Sequence, residues 1–314
     1  MMNKRVYGVM GISSIMANWN ADFSGYPKMT SKGDTFGSDK AFKYPMKKMW
    51  DENGEKVIYI KSMTTQEKNG TTSFIPRTLT ERYQQLFGTD DVKDAKKVLT
   101  NLFSAIDVKN FGATFAEKGN NISITGAVQF GQGFNKYEGT MPQEQQILSP
   151  FRDSKAAEKS KDGEEAKNST LGTKIVSDEA HYFYPFSINP KAYKEFVELG
   201  VTEGYTEEDY LKFKKAALSA ATSFATNAKA GCENEFGIFV ETKEDVYLPN
   251  LAESIQFEHH KSNKNVISVQ CGKLLNEMGE KILNVEIYYN PYTTTIETDI
   301  SDVKLYDIFT GKEL

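Results

Sequence analysis

The N-terminal apolar segment constrains the fold of this 314-residue chain more than any other stretch. Across residues 5–16, apolar side chains such as Val6, Val9 and Ile12 follow one another too closely for a strand with one face in water. A strand that is apolar on both faces lies inside a sheet, with other elements packed on either side. We therefore predict a central strand over residues 5–16, followed by an Asn/Asp/Gly-containing loop at 18–27.

The remaining periodicity predicts an α+β fold. In the first half we predict a strand over 56–63, helices over 78–87 and 92–106, and a strand over 121–131. In the second half we predict a strand over 181–188, helices over 191–199 and 206–225, and strands near 235–242, 266–271, 282–289 and 303–309. Asn189 and Pro190 suit the N-cap and N1 positions of a helix, and Thr206 with Asp209 matches a capping box. This order favours a sheet with helices on one side, of the ferredoxin-like or RNA-recognition type.

Residues 132–179 interrupt this pattern. Glycine and proline recur, and residues 153–168 carry almost no large apolar side chain. Such a segment has little core of its own, and inside a compact domain it is usually functional or mobile. We predict an insertion over 132–179 in a domain formed by residues 1–131 and 180–314.

The charge distribution is compatible with a nucleic-acid partner although the formal net charge is −5. Residues 1–100 carry 16 Lys/Arg against 11 Asp/Glu, and the remainder carries 22 against 32. The arginines are Arg5, Arg77, Arg82 and Arg152. Because lysine meets phosphate as a point charge and lacks the fork with which arginine reads bases, this inventory favours recognition without sequence preference.

A basic stripe is the first candidate surface for phosphate contact. Lys40, Lys43 and Lys47 are spaced at i, i+3 and i+7, so on a helix they would line one face, with Lys28 in the preceding loop. Pro45 would kink that helix if it lies beyond the first turn. The alternative is an ordinary solvated face.

The second candidate surface lies at the base of the predicted insertion. Gln129, Gln132, Phe134 and Lys136 combine polar groups that could contact phosphates with a ring that could stack on bases. The alternative is the amphipathic end of an ordinary strand.

Catalytic and cofactor-binding motifs are absent from the sequence. There is no GxSxG, HExxH or Walker loop, and no GxGxxG follows a strand. His259 and His260 would point to opposite sides of a strand, so we expect no shared metal site, and His181 is expected in a core or an interface. Asp22 has two interpretations: a side chain that forms a turn, or a carboxylate that positions a water or a 2′-hydroxyl for RNA cleavage. We predict no cofactor and no metal.

The two cysteines and the hydropathy pattern bear on the compartment. Cys232 and Cys271 belong to no metal-binding or redox motif and are expected as buried thiols in a reducing compartment. No apolar run approaches the roughly 20 residues that span a bilayer, and the N-terminus lacks a signal-peptide pattern. We expect a cytoplasmic protein without a membrane partner.

Several motifs together carry a family resemblance. They are Asn18-x-Asn20-x-Asp22-x-x-Gly25-x-Pro27 after the first strand, Phe111-Gly112-Ala113, Ile124-Thr125-Gly126-Ala127-Val128-Gln129, and the strand 181–188 running into Asn189-Pro190. With these motifs the chain resembles the backbone subunit of the CRISPR type I Cascade complex, a family of the RAMP superfamily, and is most similar to its subtype I-B branch.

The resemblance implies a non-catalytic protein that binds CRISPR RNA. Its fold would be a modified RRM-like palm with helical finger elements and a thumb over residues 136–174. Further copies of the chain and other Cascade subunits would be its partners, and the guide would pair with target DNA. The implied RNA-binding residues are Asn18, Asn20, Lys28, Lys40, Lys43 and Lys47 in the first loop and helix, Gln129, Gln132 and Phe134 at the thumb base, and Thr226, Asn227 and Lys229 in a later loop.

Two other functions stay open at this point. Type III relatives cleave RNA through a loop aspartate, so Asp22 could belong to a metal-dependent ribonuclease. The chain could also be a globular assembly protein that binds no nucleic acid.

Overall fold

The chain has a mixed α+β fold in a computed structural model that describes residues 1–89, 92–117, 119–148 and 170–314. The strands are β1 (Lys4–Ala17), β2 (Phe36–Gly37), β3 (Met63–Lys68), β4 (Thr71–Pro76), β5 (Gly112–Phe115), β6 (Ile122–Thr125), β7 (Val128–Phe130), β8 (Gly133–Asn135), β9 (Pro142–Leu148), β10 (Thr170–Ile188), β11 (Cys232–Lys243), β12 (Ile255–Glu258), β13 (Asn265–Val269), β14 (Ile282–Tyr289), β15 (Thr294–Thr298) and β16 (Lys304–Asp307). The α-helices are α1 (Asp39–Glu52), α2 (Leu79–Phe87), α3 (Ala95–Phe103), α4 (Ile106–Phe111), α5 (Lys194–Glu198), α6 (Glu207–Ser223) and α7 (Gly272–Met278).

The first strand is central in the largest sheet, as predicted. β1 pairs antiparallel with β10 on one side and with β11 on the other. The order of the described strands is β16-β14-β11-β1-β10-β8-β2, and β7 and β9 also pair with β10. Val6, Val9 and Ile12 are fully buried. Burying one such side chain contributes roughly 1.5–3 kcal/mol to stability, so this strand anchors the fold.

The two faces of the sheet are covered by different layers. On one face, Phe42 of α1 packs 5.3 Å from Tyr184 of β10, and Phe213 of α6 belongs to the same apolar cluster. On the other face, Val9 and Phe183 face a smaller sheet of order β12-β13-β15. Successive strand residues point to opposite faces, so one strand supplies both clusters. The α+β class is confirmed, while the RNA-recognition type stays a prediction.

A buried contact holds the loop after β1 in place. The indole N–H of Trp19 donates to the Tyr184 hydroxyl at 2.5 Å. Gly37 of β2 lies against the same hydroxyl, and a Cβ at this position would come within 1.7 Å of the Tyr184 oxygen. Only glycine therefore fits here, and its small size lets β2 approach the loop closely.

The prediction of a strand over residues 56–63 is wrong. The backbone N–H groups of Ile58 and Tyr59 donate to the carboxylate of Asp107, at 3.0 and 2.8 Å. These amides therefore have a side-chain acceptor in place of a neighbouring strand, and β3 begins only at Met63.

Three further sequence-based boundaries need correction. The helix predicted over 92–106 is two helices, α3 and α4, separated at Ser104 and Ala105. The strand predicted over 121–131 is interrupted between β6 and β7, where a Cβ on Gly126 would lie 2.2 Å from the Phe111 carbonyl carbon. Asn189 makes no side-chain capping hydrogen bond, although Pro190 does begin a 3-10 turn.

β9 and the first part of β10 form a hairpin that extends the largest sheet past the end of β1. β9 is exposed along its length and pairs with residues 170–177 of β10. Within the predicted insertion, however, β8 pairs with β10 in the main sheet, and β10 runs unbroken past residue 180. The polar stretch at 153–168 lies outside the described residues. The division into palm and thumb stays a prediction.

Several local predictions agree with the structure. Thr206 and Asp209 form the predicted capping box at the start of α6. Cys232 and Cys271 are buried free thiols. Among the described helices, none has the length and apolar character needed to span a bilayer.

Candidate nucleic-acid interface

The two asparagines of the first loop are used to shape that loop. Asn18 is 4% exposed, and its amide donates to the carbonyls of Gly25 and Ile175 at 2.9 and 3.1 Å. The Asn20 side-chain oxygen accepts from the backbone N–H of Ser38 at 2.7 Å, next to the start of α1. Asn18 thus ties the loop to the β9–β10 hairpin, and Asn20 ties it to α1.

Lys229 holds the later loop against the first one. Its ammonium donates to the backbone carbonyls of Asn18, at 2.6 Å, and of Trp19. Burial lowers the pKa of Lys229 below its usual value. Thr226 and Asn227 are exposed, and the Asn227 side chain accepts from Lys174 at 3.3 Å. The structure therefore brings the two predicted loops together, with the polar side chains of 226 and 227 at the surface.

The three lysines of α1 lie on one helix as their spacing predicts, but they do not form a uniformly exposed stripe. Lys40 is exposed, whereas Lys43 pairs with Asp39 at 2.9 Å. The Lys47 ammonium lies 3.8 Å from the carboxylate of Asp107, which is fully buried. α1 continues through Pro45, so the difference comes from packing and not from an interrupted helix.

Burial disfavours both charges of the Lys47–Asp107 pair. Desolvation lowers the pKa of Lys47 and raises the pKa of Asp107, against the attraction between the two groups. The Lys47 ammonium also lies 3.4 Å from the carbonyl of Tyr59. Lys47 is therefore largely committed to internal contacts.

The predicted residues at the insertion base lie along the edge formed by β7 and β8. Phe134 is 47% exposed and lies 6.0 Å from the ring of Phe36, over which the Lys28 ammonium sits at 5.6 Å. Gln129 and Gln132 are exposed. Lys28 and Phe134 are thus brought together through Phe36.

Gln129 lies far from the first loop along the sheet. Gln129 pairs with Ser187 of β10, and Ala17 at the end of β1 pairs with Ser177. Ser177 and Ser187 are ten residues apart along β10, which corresponds to about 33 Å of extended strand. A single groove joining Gln129 to Asn18 would have to follow most of the sheet.

The contacts of Asp22 fit its interpretation as a side chain that forms a turn. Its Oδ1 accepts from the backbone N–H groups of Ser24 and Tyr26, at 2.8 and 3.0 Å. Among the described residues, no group of three or more His, Cys, Asp and Glu side chains is arranged to hold a metal ion.

His181 is a core histidine, as expected. Its ring nitrogens face Glu235 at 2.8 Å and Glu179 at 3.0 Å, and its ring stacks on Phe257. Burial alone would lower the pKa of His181, but the two carboxylates raise it to about 9. His259 faces Glu179 and His260 faces Glu258, so the adjacent histidines have different partners.

Two cations near the β3–β4 hairpin were missed by the sequence analysis. Lys61 and Arg77 lie just outside the two strands, and the Arg77 backbone N–H donates to the Ser62 carbonyl at 2.9 Å. The sequence analysis predicted no hairpin over residues 63–76, so nothing in it placed Lys61 and Arg77 side by side.

Comparison with known proteins identifies the family of this α+β protein. A family model described as CRISPR-associated protein Cas7 matches residues 4–273. The chain belongs to the CRISPR-associated Cas7 family, which confirms the resemblance to the Cascade backbone subunit, while subtype I-B stays a prediction. No curated protein sequence matches the chain.

Two solved structures are similar over most of their length. One chain, from a "CRISPR RNA-guided surveillance complex, pre-nicking", is 14% identical, with 95% of this chain and 96% of that chain covered and a TM-score of 0.49. Another, from a "CRISPR RNA-guided surveillance complex", is 15% identical, with 94% and 95% covered and a TM-score of 0.46.

Proposed function

We propose that this chain is a non-catalytic, CRISPR RNA-binding backbone subunit of a type I Cascade complex, of the I-B branch. Several copies would lie along one guide RNA in the cytoplasm, beside other Cascade subunits, and leave the spacer free to pair with target DNA. The observation that carries the proposal is the family match over residues 4–273.

The site geometry supports two different roles for the predicted RNA-binding residues: some would position the loops, and others would contact the RNA. Asn18, Lys229 and Lys47 would position the loops and α1 through internal contacts. The exposed Lys40 and Asn227 would face the RNA. A lysine-rich surface suits a protein that must accept any spacer, because phosphates are common to all sequences.

The assignment to palm, finger and thumb is part of the proposal. The main sheet with α1 and α6 would be the palm, α2 to α4 would belong to the fingers, and the β9–β10 hairpin would be the described part of the thumb. Asp22 would act as a turn former, since its Oδ1 already accepts two backbone amides.

The purified chain offers a direct test. We expect it, alone or with its partner subunits, to carry RNA of uniform length, seen as nuclease-sensitive absorbance at 260 nm. A complex that assembles with its partners and contains no RNA would refute the proposal and leave the interpretation as an assembly protein. The matched control is the same preparation from cells that lack the CRISPR RNA.

A further inference from the structure

An open cavity of about 320 Å³ lies at the base of the β3–β4 hairpin. α1 contributes Tyr44 to its wall, the irregular segment before β3 contributes Tyr59 and Lys61, and the residues around the start of α2 contribute Arg77 and Arg82. Aromatic and cationic side chains therefore line the same cavity.

Two of these cations lack a carboxylate partner in the part of the chain that the structure describes. Within the described ranges, neither Lys61 nor Arg77 has a carboxylate within ion-pair distance, and the buried Nε of Arg77 has no hydrogen-bond acceptor. The neighbouring Ser62 hydroxyl is also buried without a partner. Because no described carboxylate neutralises Lys61 or Arg77, their charges can attract an anionic ligand into the open cavity.

Arg82 lines the same cavity but, unlike Lys61 and Arg77, is paired within the protein. Its guanidinium donates to the Val57 carbonyl, to Gln85 and to Asp51, the last at 2.8 Å. The charge of Arg82 is therefore compensated within the protein, and the net positive charge of the cavity comes from Lys61 and Arg77.

The cavity adjoins the surface that the proposed function assigns to RNA. Tyr44 is 40% exposed, and its ring makes an edge contact with Phe224 at 5.5 Å. Phe224 ends α6 just before the loop that carries Thr226 and Asn227. Lys40 lies one turn before Tyr44 on α1, so one strand of RNA could pass from that loop to the cavity.

We propose that this cavity binds one nucleotide of single-stranded RNA, with its phosphate on Lys61 and Arg77 and its base against the ring of Tyr44. The proposal rests on the proposed function and adds to it a binding site between α1 and the β3–β4 hairpin. The guanidinium fork of Arg77 suits a phosphate that presents two oxygens, and a tyrosine ring accepts the face of any base.

The test measures binding of the full-length chain to a fluorescently labelled, unstructured single-stranded RNA over a series of KCl concentrations. Lys61→Ala with Arg77→Ala removes both cavity cations. Its matched control is Lys304→Ala with Lys312→Ala, which removes two charges near β16 at the opposite edge of the main sheet. Tyr44→Leu removes the ring, and Tyr44→Phe keeps it.

We expect the cavity variant to bind on the order of tenfold more weakly and the slope of log Kd against log salt to fall by about 0.7, the contribution of one single-strand phosphate contact. The control pair should keep the wild-type slope. Tyr44→Leu should weaken binding about fivefold or more, while Tyr44→Phe should not.

Unchanged affinity and slope in the cavity variant, with a wild-type chain that binds RNA, would overturn this site and leave the proposed function standing. A wild-type chain that binds no RNA at any salt concentration would overturn both. Lys61→Glu repeats the test at an exposed side chain and leaves Arg77 in place, in case the double variant does not fold.

Discussion

The ammonium of Lys229 donates a hydrogen bond to the backbone carbonyl of Asn18 at 2.6 Å. These residues are 211 positions apart in the sequence, and both were predicted to contact RNA. Their contact with each other joins the loop after β1 to the loop after α6. The two loops can therefore act as one rigid surface.

Lys229→Met is expected to lower the free energy of unfolding by about 1–3 kcal/mol, because two partly buried carbonyls lose a charged donor. Chemical denaturation followed by circular dichroism measures this loss. The matched control is Lys174→Met, since the hydrogen bond that the described residues give the Lys174 ammonium, to Asn227, is exposed, and its loss should change stability by less than about 0.5 kcal/mol. Equal stability of the two variants would contradict the bridging role of Lys229.

Lys40→Glu and Lys47→Glu are expected to act differently although both lie on α1. Lys40→Glu should weaken RNA binding and leave the melting temperature unchanged. Lys47→Glu would place a second carboxylate beside buried Asp107 and should destabilise the fold by about 3–5 kcal/mol. Thermal melting and RNA titration separate the two effects. A stable Lys47→Glu protein with weakened RNA binding would instead support a direct contact by Lys47.

We expect the protein to lose stability at alkaline pH, because His181 loses its charge there. Its folded-state pKa of about 9 lies above the ordinary value of 6.5, so its contribution is fully present below pH 6.5 and is lost as pH rises through 9. The shift corresponds to about 3 kcal/mol. Urea unfolding at both pH values should show this loss in the wild type and a smaller one in His181→Gln. The same pH dependence in both proteins would argue against a charged His181.

Asp22→Ala tests the ribonuclease alternative and the turn interpretation together. We expect stability to fall by about 1 kcal/mol, because the backbone amides of Ser24 and Tyr26 lose their acceptor. Asp22→Asn keeps an oxygen at that position and should restore most of this loss. Complementary RNA incubated with Mg²⁺ and the assembled complex should stay intact. Regularly spaced cuts that disappear in Asp22→Ala would instead establish catalysis.

Local sequence patterns determined the features that depend on neighbouring residues. The continuous apolar run of residues 5–16 identified a central strand, and Thr206 with Asp209 identified a helix start. The turn formed by Asp22 likewise depends on amides two and four residues away. Such features follow from periodicity and from short-range hydrogen bonding.

The tertiary structure alone decided how the polar side chains are used. Helical spacing placed Lys40 and Lys47 on one helix, but only packing brought buried Asp107 to Lys47 and left Lys40 in water. The same carboxylate takes the amides of residues 58 and 59 and so abolishes a strand that their pattern predicts. Partners from distant parts of a chain meet only when it folds, so the sequence identified the cations and the fold determined which remain free.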